Sequence, residues 1–275
     1  MRIAVTSDVH VDSNGEVVLE ALASRVRVIA PDVLVVAGDI ATGPVTYLKT
    51  LLALRAAAGE VVVVAGNHDV WSSPAQVAAG MDAWKRLDVL LPALCREAGV
   101  HDLDAGPVEL GGIGFAGTIG WWDLSLRDPD LEVGDAYGTG VYGGVRWLDH
   151  TLAAWGAAPE VVSERLRARL ADQLAALRTD RIVAVTHVLP FEAQVHRASR
   201  PVWRFLNAFM GSVALGEVLR ADPRVVLAIA GHTHLGSDLR FGGLRAVVSP
   251  LGYRREWRGA SAEEAVERAV KVVEL

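Results

Sequence analysis

Residues 61–69 read Val61-Val62-Val63-Val64-Ala65-Gly66-Asn67-His68-Asp69. Five apolar residues, four of them β-branched, predict a short strand with no polar face, as in a sheet covered on both sides. The strand stops at a glycine, and three polar residues follow at its carboxyl end. The same sentence is written elsewhere in the chain. Ile3–Thr6 is followed by Ser7-Asp8-Val9-His10, and Val33–Ala37 by Gly38-Asp39. Ile182–Thr186 runs into His187, and Val225–Ala230 into Gly231-His232-Thr233-His234.

Between these strands the apolar period changes to that of helices, predicting helices over Glu16–Ala30, Val45–Ala58, Asp82–Ala98, Glu160–Leu177, Val213–Ala221 and Ala262–Val270. Pro44 and Gly59 bracket the second of them. Strands alternating with helices predict α/β architecture with largely parallel sheets. Two glycine pairs mark hairpins instead: Gly111-Gly112 between Val108–Leu110 and Ile113–Ala116, and Gly242-Gly243 between Asp238–Phe241 and Leu244–Val248. The last residues suit an edge strand. With no repeat or linker in view, the simplest organisation is one domain over 1–275, with loop insertions near 118–158 and 188–210.

Composition narrows the function. The 275 residues carry 27 Lys+Arg against 33 Asp+Glu, a net charge of −6, and are 51% hydrophobic. This suits a packed core and argues against a nucleic-acid coat, which needs a basic face. One cysteine rules out an intrachain disulfide scaffold and a cysteine zinc knuckle; Cys95 sits in a helical pattern and reads as core. The longest apolar runs are strand-sized and too short for a membrane span, and the N-terminus lacks a signal-peptide core, so the expectation is a cytoplasmic protein.

In open parallel sheets ligands gather outside the carboxyl ends of the strands. Five strand ends therefore converge Asp, His and Asn on one crevice. Carboxylates and imidazoles without thiolates suit Mn(II), Fe or Zn. Two such ions about 3.5–4 Å apart can clamp a phosphoryl group and activate water, and a shared carboxylate would offset their repulsion. Asp8 and His10, like His232 and His234, are two residues apart and would point the same way along an extended segment. Gly38, Gly66 and Gly231 allow close backbone approach beside these residues.

These blocks, in this order, resemble the five motifs of the calcineurin-like metallophosphoesterase superfamily: Asp8-x-His10, Gly38-Asp39, Gly66-Asn67-His68-Asp69, Thr186-His187 and Gly231-His232-Thr233-His234. The likeness spans residues 8 to 234. It implies a four-layer α/β/β/α sandwich and two divalent metal ions, manganese or iron ahead of zinc. It further implies one metal on Asp8, His10, Asp39 and His234, and the other on Asp39, Asn67, His187 and His232, with Asp39 bridging. Hydroxide held by the metals would attack phosphorus in line, and His68 would stabilise developing charge and protonate the leaving oxygen. The implied partner is a small phosphate mono- or diester, nucleotide-like in scale, and not nucleic acid; the motifs assign no substrate-binding residue and no oligomeric state. Ile40-Ala41-Thr42 replaces the Asp-Arg-Gly continuation of the Ser/Thr protein phosphatases, which lowers that reading. The alternative is a catalytically weak scaffold on the same fold.

Other residues carry two readings each. Asp69 either supports a charged His68 or caps its loop. Trp121, Trp122 and Asp123 either line the crevice or anchor the insertion. Arg197, Arg200, Trp203, Arg204 and Phe205, within 191–209, either contact substrate or cap the sandwich, and capping is favoured. Tyr253, Arg254 and Arg255 follow the last hairpin, where an arginine would reach phosphate. His101, His150 and His196 read as structural or solvated.

Overall fold

The computed structural model describes residues 1–275. In chain order the strands are β1 (Arg2–Thr6), β2 (Val33–Ala37), β3 (Glu60–Val64), β4 (His101–Asp102), β5 (Val108–Leu110), β6 (Ile113–Thr118), β7 (Val141–Tyr142), β8 (Val145–Arg146), β9 (Ile182–Thr186), β10 (Val225–Ala230), β11 (Ser237–Phe241), β12 (Leu244–Val248) and β13 (Lys271–Glu274). One sheet has the order β13-β1-β2-β3-β4, the other β11-β12-β10-β9-β6-β5. In the first, β1 to β4 are parallel and β13 closes one edge antiparallel. In the second, β6, β9, β10 and β12 are parallel, and the antiparallel edges β5 and β11 come from the two glycine hairpins.

Side-chain alternation builds the layers. Ile3, Val5, Val33, Val35, Val62 and Val64 of the first sheet meet Phe115, Val183, Val185, Leu227, Ile229 and Val247 of the second in one core. The intervening Ala4, Leu34, Val36, Val61 and Val63 face the helices Glu16–Ile29, Pro44–Arg55, Leu91–Ala98 and Ala262–Ala269. On the far side Ala116, Ile182, Ala184, Ala228 and Ala246 face the helices Pro159–Ala176 and Val213–Ala221. The result is the expected α/β/β/α sandwich. Because both faces of each sheet are covered, the central strands β2 and β10 are apolar throughout. Cys95 is core, buried in the first helix layer.

The helix expected over Asp82–Ala98 is divided: Ala83–Lys85, a wide turn at Arg86–Leu90, then Leu91–Ala98. Pro92 has no N–H for an i→i−4 bond, and the preceding turn widens to i→i+5. That turn also buries Arg86, whose guanidinium donates to the carbonyls of Asp69 (2.8 Å) and Thr42 (2.5 Å). The segment 118–158 contains the β7–β8 ribbon and two short helices, Ala136–Thr139 and Asp149–Leu152. The segment 188–210 contains Pro201–Leu206 flanked by single tight turns.

The two sheets are stitched together at one end. Ser7 N donates to Ser249 O (3.1 Å), Leu251 N to Ser7 O (2.9 Å) and Gly252 N to Asp8 O (3.0 Å). This joins the exits of β1 and β12, strands of different sheets, and delivers the segment after β12 to the ends of β1, β2 and β3. No helix is long and apolar enough to cross a membrane.

Candidate metal centre

All seven residues expected as ligands, with His68, meet at that end. Asp8, His10, Asp39 and His234 place one donor atom each within 4.8 Å of one another, a constellation that fits a metal ion. Beside it, Asn67 Oδ1 lies 2.9 Å from His187 Nε2 and 3.0 Å from His232 Nδ1. The two groups meet at Asp39. Its Oδ2 lies 3.4 Å from His10 Nε2, and its Oδ1 lies 3.5 Å from His187 Nε2.

The backbone that achieves this corrects one expectation. Asp8 (φ 55°), His10 (φ 45°), Asp39 (φ 55°), His232 (φ 71°) and His234 (φ 52°) are left-handed, so neither His-containing pair lies on an extended segment. Five of the eight non-glycine residues with positive φ are these candidate ligands. Left-handed backbone is unfavourable for residues with a Cβ and survives where surroundings over-determine it. Here the surroundings are hydrogen bonds: Asp8 N to Gly38 O (3.0 Å), His10 N to Asp39 O (2.9 Å) and His232 N to Asp8 Oδ1 (2.9 Å). Gly66 permits the approach of Asp39, since a Cβ at Gly66 would collide with the Asp39 carboxylate and amide.

Hydrogen bonding also orients the rings. His187 Nδ1 donates to Ala37 O (2.9 Å) and His232 Nε2 to Phe209 O (3.1 Å). Their remaining nitrogens then carry lone pairs and face each other at 3.2 Å. His234 Nδ1 donates to Glu256 Oε2 (2.8 Å), which turns its Nε2 toward His10 Nε2 at 3.1 Å. Converging lone pairs and two buried carboxylates call for cations. Titration agrees. Burial, with the His234 charge adding to it, lowers His10 to about 3, and burial with His187 lowers His232 to about 4, so both are neutral donors. Burial, then the Asp69 and Asp8 charges, pushes the Asp39 carboxyl well above its usual range. Burial alone would raise Asp8, but the hydrogen bond and charge of His234 hold it below the usual carboxylate range. Burial opposes charge on His234, yet its bonds to Asp8 and Glu256 raise it to about 10. The His234 ring lies between the Asp8 and Glu256 carboxylates.

Residues with open readings now resolve. Asp69 is a loop staple, accepting from Gly66 N (2.7 Å), Ile40 N (2.9 Å) and Ala41 N (3.0 Å). Burial raises it to about 7 against the pull of those three N–H groups. Trp121 and Trp122 are buried anchors, and Asp123 accepts from Ser212 Oγ (2.5 Å). In 191–209, Arg197 and Arg204 pair with Glu192 and Asp128, and Phe205 is buried, so this segment caps the sandwich. His101 pairs with Glu60, His196 is exposed, and His150 packs against Trp122 and Phe209.

Sequence reading undervalued one residue and missed two. Tyr253 stacks on His10 (ring centroids 4.4 Å apart) and puts its hydroxyl 3.2 Å from His68 Nε2. Glu256, unforeseen, orients His234. Asp149, also unforeseen and buried, accepts four hydrogen bonds: from Asn67 Nδ2 (2.9 Å) and from the indoles of Trp71 (2.7 Å), Trp122 (3.2 Å) and Trp147 (3.0 Å). The Asn67 bond turns Oδ1 toward His187 and His232. One signal for Asp149 was present: clustered tryptophans in an insertion need a buried acceptor for their N–H groups. Replacing Asp149 by Asn puts an amide where only acceptors fit. The expected result is an Asn67-side metal affinity about 10–100-fold lower with a smaller loss on the His10 side. Calorimetric titration of the metal-depleted chain with Mn(II) measures both.

A family model described as calcineurin-like phosphoesterase matches residues 1–236. The chain belongs to this family. No curated protein matches it. Among solved structures, the phosphopantetheinyl hydrolase of Mycobacterium tuberculosis is similar at a TM-score of 0.74 and 21% identity, covering 98% of this chain and 95% of that one. TT1561 of Thermus thermophilus is similar at a TM-score of 0.53 and 14% identity, covering 99% and 97%. At these identities the likeness is one of fold. In this calcineurin-like phosphoesterase all seven candidate ligands and His68 lie within the matched residues.

Proposed function

We propose that the chain is a dinuclear-metal phosphoesterase that hydrolyses small phosphate mono- or diesters. The observation that carries this reading is the position of Asp39, whose two carboxylate oxygens each face a different set of imidazole nitrogens. Asp8, His10, Asp39 and His234 would hold one divalent cation, and Asp39, Asn67, His187 and His232 the other. When bound, such a pair supplies Lewis acidity to a phosphoryl oxygen and to water.

The chain's own residues supply the rest. His68 projects beside the cluster, with Nε2 4.0 Å from Asp39 Oδ2 and its ring packed on Trp71 at 3.6 Å. Burial lowers its pKa to about 2, and the neighbouring His10 and His187 imidazoles work in the same direction. An anionic phosphoryl group works in the opposite direction and favours the protonated ring. In hydrolysis a P–O bond from water would form as that water gives up a proton to solvent, the P–O bond to the leaving oxygen would break, and protonated His68 would give the leaving oxygen its proton. Tyr253 fixes the ring through its hydroxyl and stacks on His10.

The test is a substrate panel on chelator-treated protein reconstituted with Mn(II), Fe(II) or Zn(II), comparing an aryl monoester, an aryl diester and a phosphopantetheine ester. The last is included because one structural neighbour bears that activity in its name. Turnover that appears only with metal is expected. A chain that binds no metal and turns over no ester defeats the reading and leaves a scaffold.

A further inference from the structure

The reading above concerns the phosphoryl group under attack, and the remainder of the substrate needs its own seat. A cleft of about 580 Å³ opens beside Asn67 and His68. Trp71, Trp147 and Tyr253 give it aromatic walls, and Leu148 and Leu206 extend the apolar surface. These walls are braced: the indole N–H groups of Trp71 and Trp147 are both held by Asp149, and Trp147 stacks on Phe209 (ring centroids 5.3 Å apart). A wall fixed in advance loses little freedom when a ligand settles on it.

Charge in the cleft runs against that of the whole chain. Arg146, from the β7–β8 ribbon, lines it together with Arg254 and Arg255, from the turn after β12. None of the three guanidinium groups makes a hydrogen bond or ion pair within the protein, and Arg255 only rests over the Tyr253 ring at 4.5 Å. The one carboxylate in the lining is Asp149, whose oxygens already accept four hydrogen bonds. Three unpaired guanidinium groups beside braced aromatic walls, in a chain of net charge −6, form a local anion site. A guanidinium fork pairs two N–H groups with two oxygens of a phosphate. A single carboxylate would leave much of this capacity unused, whereas a phosphate presents three acceptors and nearly two negative charges.

We propose that this cleft seats the leaving group, and that it selects phosphate esters whose leaving group carries a second phosphate joined through an apolar or ring-bearing spacer. The proposal rests on the phosphoesterase reading. Its test separates the two. With Mn(II)-reconstituted protein, kcat/KM is compared for the bisphosphate and the monophosphate of 1,4-benzenedimethanol, with p-nitrophenyl phosphate as a general ester. A preference for the bisphosphate of about tenfold, beyond the factor from its two equivalent ends, is expected, and it should shrink with added salt. Combining Arg146→Ala, Arg254→Ala and Arg255→Ala should bring the ratio of the two kcat/KM values down to that end-counting factor. The matching Lys triple variant should keep part of the preference, since it keeps the charge. A ratio no larger than that end-counting factor while p-nitrophenyl phosphate is hydrolysed overturns the proposal and leaves the phosphoesterase reading intact. An alanine variant that keeps the preference overturns it as well. Failure to hydrolyse any ester with any of the three metals defeats both.

Discussion

Asp39→Asn should weaken metal binding at both halves of the centre. Each Asp39 oxygen faces a separate donor set, and an amide offers one acceptor oxygen and an NH2 group that repels a cation. The same change removes a negative charge needed to hold two cations a few ångströms apart. Loss of an outer partner weakens a metal site about 10–100-fold, and loss of the shared ligand should exceed this at both positions. Metal content after dialysis against Mn(II), read by atomic spectroscopy, should fall from two ions per chain to below one. The fold should persist, because burial already works against the Asp39 charge and its neutral replacement relieves that. The thermal unfolding midpoint is the control. Unchanged occupancy in a folded variant refutes the bridging role.

His68→Ala should separate binding from turnover. His68 contributes no atom to the converging donor sets, and its backbone N–H bond to Asp39 Oδ1 (2.9 Å) does not depend on its side chain. Metal content should therefore stay at the level of the parent. Turnover should fall about 10²–10⁴-fold, the range for loss of a general acid. The loss should be greatest for alkyl esters, whose leaving oxygen most needs a proton, and smallest for p-nitrophenyl esters. This gradient distinguishes proton donation from packing. A merely structural His68, resting on Trp71 and Tyr253, would lower every substrate alike. Full activity with alkyl esters removes His68 from the role.

Much of the scaffold was legible because its signals are local. A parallel strand covered on both faces must be apolar along its length, and Val33–Ala37, Val61–Val64 and Ile182–Thr186 declare themselves that way. Glycine pairs declare the hairpins at Gly111-Gly112 and Gly242-Gly243. Pro92 misled, since a single missing N–H redirects a helix that the apolar period treats as continuous.

By itself, then, the chain determined the long strands, the two hairpins and the set of polar residues at five strand ends, for strand topology places those ends together whatever the loops do. What only the tertiary structure decided is how the set is aimed. The left-handed backbone at Asp8, His10, Asp39, His232 and His234 is imposed by hydrogen bonds between different strands, and no local propensity predicts it. Glu256 and Tyr253 reach the centre because backbone bonds stitch β1 to the segment after β12, some 240 residues away. Asp149 acts through Asn67, 82 residues distant, and through three indoles. Orientation by distant partners leaves no periodic trace in sequence, because the energy lies in bonds between segments and not within them.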